Sequence, residues 1–447
     1  MKVAIIGTGY VGLVSGACFS ELGWEVVCFD KDISKIDALN AGRIPIFEPG
    51  LGDLVGKNKE KGRLRFTHER AVAIKGADII FIAVGTPTRI GTQNADLSFV
   101  FEAAREMAPD IKEGAVIVTK STVPVGTTRQ VYETIHSLTK TPFHTVSNPE
   151  FLREGGAIAD FMHPDRIVVG AASSYAQSVM EALYAPLVKK GTSLFLTQVK
   201  TAELIKYASN TFLAMKISFI NQVADLAEAC GADVQMIAEA MGLDRRIGPS
   251  FLHPGPGFGG SCFPKDTRAL ATFAHEQGVP APLIDAVDTF NEARKRAMVT
   301  KIVKACGGNV RGKKLTILGI TFKANTDDMR ESASLVILPA LREAGALLTV
   351  FDPEAKASAL PELSGIKDAS DVVTACHQAD AIVILTEWDL FKTLPFQEIV
   401  RVVAHPLLID LRNLYRLDVV EKAGFSYVSL GRPARYLSER RQSASGS

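Results

Sequence analysis

The chain has 447 residues, with 50 Lys plus Arg against 49 Asp plus Glu and a formal net charge of +1. That balance excludes the global field that draws a protein to nucleic acid or to an acidic membrane, so any anionic ligand must be held by local groups. The length exceeds one ordinary core and fits two or three domains. Six scattered cysteines, Cys18, Cys28, Cys230, Cys262, Cys306 and Cys376, form no CxxC pair and have no histidine at metal-ligand spacing, which predicts no metal and a reduced, cytoplasmic compartment. Met1-Lys2 runs directly into Val3-Ala4-Ile5-Ile6, and no apolar run reaches about 18 residues, so neither a secretion signal nor a membrane span is expected.

Short apolar runs alternate with helical patterns from the start, as in a parallel sheet flanked by helices. The strand candidates are Val3 to Ile6, Val26 to Phe29, Ile79 to Val84, Val116 to Val118 and Ile167 to Val169. After Thr197, apolar Leu204, Ala208, Leu213, Ile217, Ile220, Ala224 and Ala227 recur at helical spacing up to Gly231. A helix of about 30 residues spans about 45 Å, long enough to connect two domains and to offer a face to a second subunit. From Lys314 the alternation resumes, with Leu315 to Leu318, Leu348 to Phe351 and Ala381 to Leu385 as strands. Lys2-Val3-Ala4-Ile5-Ile6-Gly7 and Lys314-Leu315-Thr316-Ile317-Leu318-Gly319 read as distant copies, the alternative being generic parallel-strand chemistry. The expected division is 1–198, 199–300 and 301–432, followed by a polar, disordered tail at 433–447.

Gly7-Thr8-Gly9-Tyr10-Val11-Gly12 follows a strand and opens a helix, and Asp30 closes the next strand, which is the dinucleotide fingerprint in its structural context. Gly7 permits the turn, Gly9 lets backbone approach a pyrophosphate, and Gly12 lets the helix pack on the strand. Asp30 accepts from ribose hydroxyls and repels a 2′-phosphate, which favours NAD, although Lys31 and Lys35 nearby leave NADP open. Two hydroxyl-rich loops, Val84-Gly85-Thr86-Pro87-Thr88 and Lys120-Ser121-Thr122-Val123-Pro124, leave the same sheet edge and are either ligand loops or proline-terminated turns.

The densest signal is Gly255-Pro256-Gly257-Phe258-Gly259-Gly260-Ser261-Cys262-Phe263-Pro264-Lys265-Asp266, with a helix expected from Thr267 onward. The glycines would let a ligand approach backbone closely. A cysteine ahead of a helix N-terminus and near Lys265 has two reasons to lose its proton, and the thiolate is the nucleophile. The alternative for an isolated cysteine is a buried turn residue.

These motifs, together with Asn148-Pro149-Glu150-Phe151-Leu152 and Phe322-Lys323-Ala324-Asn325-Thr326-Asp327-Asp328-Met329-Arg330, resemble those of the UDP-glucose/GDP-mannose dehydrogenase family, in its order, from residue 1 to about 430. The resemblance implies two Rossmann-like doubly wound parallel-sheet domains joined by a long central helix and a helical middle domain. It implies NAD-dependent two-fold oxidation of UDP-glucose to UDP-glucuronate through a thiohemiacetal and a thioester on Cys262. GDP-mannose and UDP-N-acetylmannosamine are alternative substrates, and a one-step dehydrogenase and a non-catalytic NAD-binding regulator are alternative classes.

By the same resemblance Glu150 activates the hydrolytic water, Thr122 organises water and protons, Lys206 and Asn210 hold an oxyanion, and Asp266 acts as a base or holds water. Asn148 is expected to cap a helix that places Glu150 and Glu154 on one face, the alternative being a surface pair. Tyr10, Val11, Lys35, Thr86, Pro87, Ser121, Thr122, Glu154, Lys265 and Arg330 are implied at the cofactor. Glu150 to Glu154, including Phe151, Leu152 and Arg153, and Lys206, Asn210, Gly257, Phe258, Gly259, Phe322, Lys323 and Arg412 are implied at the substrate. Arg246 is implied at the substrate of a neighbouring subunit, in a homodimer or higher oligomer built through the central helix. His253 stands where some relatives carry lysine.

Overall fold

The computed structural model describes residues 1–89 and 95–437. It divides into two compact units, Met1–Ser209 with Ala269–Pro280, and Asn210–Arg268 with Ala281–Ser447. The first holds an eight-stranded sheet of β1 (Lys2–Ile6), β2 (Glu25–Phe29), β3 (Leu64–Thr67), β4 (Ile79–Ile82), β5 (Ala115–Thr119), β6 (Phe143–Ser147), β7 (Arg166–Ala171) and β8 (Ser193–Thr197). Its order is β3-β2-β1-β4-β5-β6-β7-β8. The first six strands are parallel, in the dinucleotide-binding order, and β7 runs antiparallel to β6 through Val146↔Ala171 and Ser147↔Gly170. Both faces of β1, β4 and β5 are buried, which is why these strands read as continuous apolar runs.

The second unit holds β9 (Lys314–Leu318), β10 (Leu347–Phe351), β11 (Lys367–Asp368), β12 (Ala381–Ile384), β13 (Leu407–Asp410) and β14 (Ser426–Ser429) in the order β11-β10-β9-β12-β13-β14. The two sheets repeat one local device. Gly7 has φ +97° and donates to the Phe29 carbonyl at 2.8 Å; Gly319 has φ +85° and donates to the Phe351 carbonyl at 2.9 Å. Thr8 N donates to Asp30 at 2.9 Å, and Ile320 N donates to Asp352 at 2.7 Å. The second copy is closed, because Trp388 Nε1 also donates to Asp352, at 3.2 Å, and the carboxylate is buried.

The helix Val199–Cys230 has 32 residues, as its periodicity predicts, but its buried face differs from the expected one. Leu204 and Ala208 are exposed, whereas Glu203, Lys206 and Asn210 are buried. Polar groups occupy the inward face of the first turns, so hydropathy points to the wrong side there. Farther along, Ile220, Ala224 and Ala227 pack inward as expected.

Two further expectations are corrected. No helix follows Asn148: its amide Nδ2 donates to the Val168 carbonyl at 2.8 Å and its Oδ1 accepts from Tyr184 at 2.5 Å, so the side chain is not available as a cap. The next helix is Ala157–Met162, and Glu150 and Glu154 therefore do not share a helical face. At the C-terminus, Arg432 is buried and Arg435 pairs with Tyr427, so the expected disorder does not extend over 433–437; residues 438–447 lie outside those described.

Candidate active site

In the first unit packing requires two of the three fingerprint glycines to be glycine. A Cβ at Gly7 would lie 2.7 Å from the Ala83 carbonyl oxygen, and one at Gly12 would overlap the Gly7 carbonyl oxygen. At Gly9 a Cβ would meet nothing within 4 Å, so open space remains on the face where a pyrophosphate would approach. Gly9 is also the N-cap of helix Tyr10–Glu21, without a side-chain cap and with no acidic residue in the first turn. The helix N-terminus keeps its amides and its partial positive charge for an anion. Val11 packs on the core beneath. Gly12→Ala should therefore cost about 1–3 kcal/mol of stability by overpacking. A chemical-denaturation midpoint measured beside NAD affinity should show both falling.

Asp30 accepts from Thr8 N and Thr8 Oγ1 at 2.9 and 2.8 Å and from Asp32 N at 3.1 Å. Burial opposes its charge, but these hydrogen bonds and Lys35, at 3.4 Å, hold its pKa below the usual carboxylate range. Lys31 pairs with Glu102 at 2.9 Å. Both lysines that left NADP open are thus engaged by carboxylates.

The two hydroxyl-rich loops are tied together at the sheet edge. Thr86 Oγ1 donates to the Thr122 carbonyl at 3.0 Å, Ser121 Oγ donates to the Val84 carbonyl at 2.7 Å, and the Pro87 carbonyl accepts from Asp96 N at 2.7 Å. Tyr10 reaches across the unit to Glu48, a residue that no local pattern singled out. Buried Glu48 accepts from Tyr10 Oη, from Gly155 N at 2.7 Å and from Ala157 N at 2.8 Å. It caps the helix after Glu154 and connects that turn to the fingerprint helix.

Glu150 and Lys206 form a buried ion pair at 3.0 Å, with side chains 6% and 4% exposed. Glu150 also accepts from Leu152 N at 2.6 Å. Burial raises its pKa, but Lys206, Leu152 N and Lys120 outweigh burial and hold it low, so it is a carboxylate. Phe151 carries the Arg166 guanidinium 3.7 Å from its ring centroid and Lys206 Nζ at 5.2 Å. Arg166 was not among the sequence candidates. Arg153 pairs with Asp160, at 2.6 Å.

Lys120, behind this pair, is buried, and its Nζ lies 3.4 Å from Asn148 Oδ1. Burial pushes its pKa from 10.5 down to about 8, Lys206 adding to the effect and Glu150 opposing it. Below pH 8 Lys120 is protonated folded and unfolded, so its burial penalty is full and constant. Between about 8 and 10.5 the unfolded chain binds the extra proton, so stability rises with pH, by about 3 kcal/mol in total. Lys120→Met should be more stable than the parent at neutral pH, and urea midpoints should show that gap closing as pH approaches 10.5.

In the second unit the nucleophile candidate lies at a helix start. Helix Phe263–Glu276 begins at Phe263, earlier than the expected Thr267, and Asp266 N donates to the Cys262 carbonyl at 2.8 Å. Cys262 therefore occupies the N-cap, half-buried, with Ser261 Oγ 3.5 Å from its Sγ. Asp266 is buried, accepting from Asn210 Nδ2 at 2.6 Å and Lys265 Nζ at 2.6 Å. Lys265, implied at the cofactor, is thus paired with Asp266.

The glycines before Cys262 are also required by protein packing. A Cβ at Gly260 would lie 2.7 Å from the Phe322 ring, one at Gly259 would overlap the Glu331 carbonyl oxygen, and one at Gly257, with φ +119°, would lie 3.0 Å from Asn291. Phe258 is buried beside Ala214 and Val287. Arg412 donates to the Phe322 carbonyl at 2.9 Å and pairs with Glu387 at 3.0 Å, and Lys323 Nζ lies 5.5 Å from the Phe322 ring centroid. Arg330 pairs with Asp328 at 2.7 Å and Arg246 with Asp244 at 2.6 Å, both arginines exposed. His253 is exposed as well.

A glycine fingerprint with an acidic strand end, a buried ammonium–carboxylate pair and a cysteine at a helix N-terminus define the class, a dinucleotide-dependent dehydrogenase. Three models of one family match the chain in order: the NAD binding domain at 1–188, the central domain at 200–293 and the UDP binding domain at 316–417. The chain belongs to the UDP-glucose/GDP-mannose dehydrogenase family. It is 52% identical to the UDP-glucose 6-dehydrogenase of Rhizobium meliloti (strain 1021), over 97% of this chain and 100% of that one. It is 46% identical to UDP-glucose 6-dehydrogenase TuaD of Bacillus subtilis (strain 168), over 97% and 94%. Among solved structures, a UDP-glucose dehydrogenase from the archaeon Pyrobaculum islandicum matches with TM-score 0.88 and 37% identity, over 96% of each chain. A UDP-D-ManNAc dehydrogenase from Pyrococcus horikoshii matches with TM-score 0.85 and 28% identity, over 97% and 99%.

Proposed function

We propose that this chain oxidises the primary alcohol of UDP-glucose to the carboxylate of UDP-glucuronate, in two oxidations separated by a covalent stage on Cys262. The observation that supports this most is the placement of Cys262 at the N-cap of helix Phe263–Glu276, in a chain that also carries the NAD fingerprint. NAD, when bound, accepts a hydride at each oxidation. The amides of helix Tyr10–Glu21 would hold its pyrophosphate and Asp30 its ribose hydroxyls.

The thiolate of Cys262 attacks the aldehyde carbon and forms a thiohemiacetal, whose oxidation leaves a thioester. The helix N-terminus stabilises the thiolate. Lys206, paired with Glu150 at 3.0 Å, donates to the developing oxyanion, with Asn210 as an amide donor one turn along the same helix. Glu150, already a carboxylate, takes the proton from the water that hydrolyses the thioester, with Thr122 ordering that water; Asp266 is the second carboxylate suited to this role. Arg412, Lys323, Phe322 and Phe258 are assigned to the nucleotide sugar, and Arg330, Lys265 and Glu154 to the cofactor. The test is a panel of UDP-glucose, GDP-mannose and UDP-N-acetylmannosamine followed by NADH formation. A kcat/KM highest for UDP-glucose supports the reading, and preference for either other sugar overturns the substrate.

Six free cysteines fit a reducing compartment, the cytoplasm. We further infer a homodimer through the long helix. Phe212, Phe219 and Leu226 are 56%, 52% and 64% exposed and recur every seven residues, the spacing of a helix–helix seam. Phe219→Glu should convert a dimer to a monomer by light scattering. Arg246 is assigned to the neighbouring subunit's substrate.

A further inference from the structure

The helix Pro282–Ala305, in the second unit, turns three polar side chains into the protein: Asn291, Arg294 and Lys295 are 1%, 2% and 1% exposed. A helix packed on a core ordinarily presents aliphatic residues there, because buried polar groups are costly unless they are hydrogen-bonded. Two of the three bond to the loop that leads to Cys262. Asn291 Oδ1 accepts from Phe258 N at 2.8 Å, while its Nδ2 donates to the Phe258 carbonyl at 3.0 Å. One amide thus pairs with both backbone groups of a single residue, as a neighbouring strand would. Arg294 Nε donates to the Gly255 carbonyl at 3.1 Å, and Asn221 Oδ1 accepts from Gly255 N at 2.8 Å.

On the other side of the loop Gly260 N donates to the Arg330 carbonyl at 2.8 Å, and Phe322 and Glu331 close on Gly260 and Gly259. The segment before Cys262 is therefore held by side chains from one side and by backbone and an aromatic ring from the other. Gly257, with φ +119°, bends the chain against Asn291 itself. A glycine-rich segment has the largest conformational freedom to lose, and such a clamp removes it before substrate arrives.

We propose that Asn291 is a positioning residue for the Cys262 thiol, its two-point bond to Phe258 setting the loop that places the thiol at the helix N-terminus. This rests on the reading of Cys262 as the nucleophile. Asn291→Leu removes both bonds while keeping the same branching in a somewhat larger side chain. Asn291→Asp keeps the acceptor for Phe258 N but sets a carboxylate against the Phe258 carbonyl, and is the second variant should the first not fold. Ile302→Ala, a core truncation on the same helix away from the loop, is the control for general destabilisation.

For each protein, kcat, KM for UDP-glucose and the iodoacetamide alkylation rate of the Cys262 peptide are measured, with exposed Cys230 as internal reference. The expected result is a kcat about 10²-fold lower for an Asn291 variant and Cys262 alkylation slowed relative to Cys230, with any rise in KM through Phe258 smaller than the loss in kcat. Ile302→Ala should keep both rates. Wild-type alkylation in an Asn291 variant, or equal losses in Ile302→Ala, overturns the proposal. Cys262→Ser, assayed in parallel, separates the two readings: its normal turnover would remove the nucleophile itself, whatever Asn291 does.

Discussion

Cys262→Ser is expected to lose overall turnover by on the order of 10⁴-fold while unfolding at nearly the parent temperature. The side chain is half-buried at a helix N-cap, a position where serine is favoured, so stability should hold. Chemistry should not hold. A hydroxyl keeps its proton at neutral pH where a thiol at a helix N-terminus can lose it, and without a thiolate the aldehyde stage is not captured. The measurement is steady-state NADH production beside a melting curve. Normal NADH production by this variant would sink the covalent scheme.

The second large effect is at Lys206. Lys206→Ala removes the cation from a buried pair and leaves Glu150 buried without its ion-pair partner, which costs about 3–5 kcal/mol when no other cation compensates. Lys120 is coupled to Glu150, so the loss should fall at the lower end. Losing an oxyanion donor should separately slow both oxidations, by about 10²–10³-fold. The two effects can be told apart. The double variant Lys206→Met with Glu150→Gln removes both buried charges and should regain stability in urea, while its pre-steady-state NADH formation, which precedes the hydrolysis assigned to Glu150, should stay slow. A double variant that recovers the rate of that first NADH formation would show that Lys206 only balances Glu150.

How much of this was legible in the sequence follows from the range of the forces involved. The cofactor fingerprint was readable because its constraints are local: Gly7 and Gly12 meet backbone within one strand–turn–helix unit, and Asp30 closes the adjacent strand. The Cys262 loop was visible by its glycine density, yet the packing role of those glycines was not. They make room for Phe322, Glu331 and Asn291, which are distant in sequence. Glu48 left no local mark for the same reason, since its partner Gly155 lies 107 positions away. Asn291, Arg294 and Arg166 read as ordinary polar residues until their burial or stacking is seen. The expected helix after Asn148 failed because Asn148 and Pro149 satisfy a helix start locally, while Val168 and Tyr184 take the Asn148 amide first. On the helix Val199–Cys230 periodicity found the element and its length, but polar catalytic candidates on the inward face reversed the apolar stripe over the first turns.

The most direct test of the central claim is the amount of NADH formed per molecule of limiting UDP-glucose. Two oxidations around a covalent stage on Cys262 require two NADH per sugar and UDP-glucuronate as the sole product. One NADH per sugar, with the aldehyde released, would contradict the account.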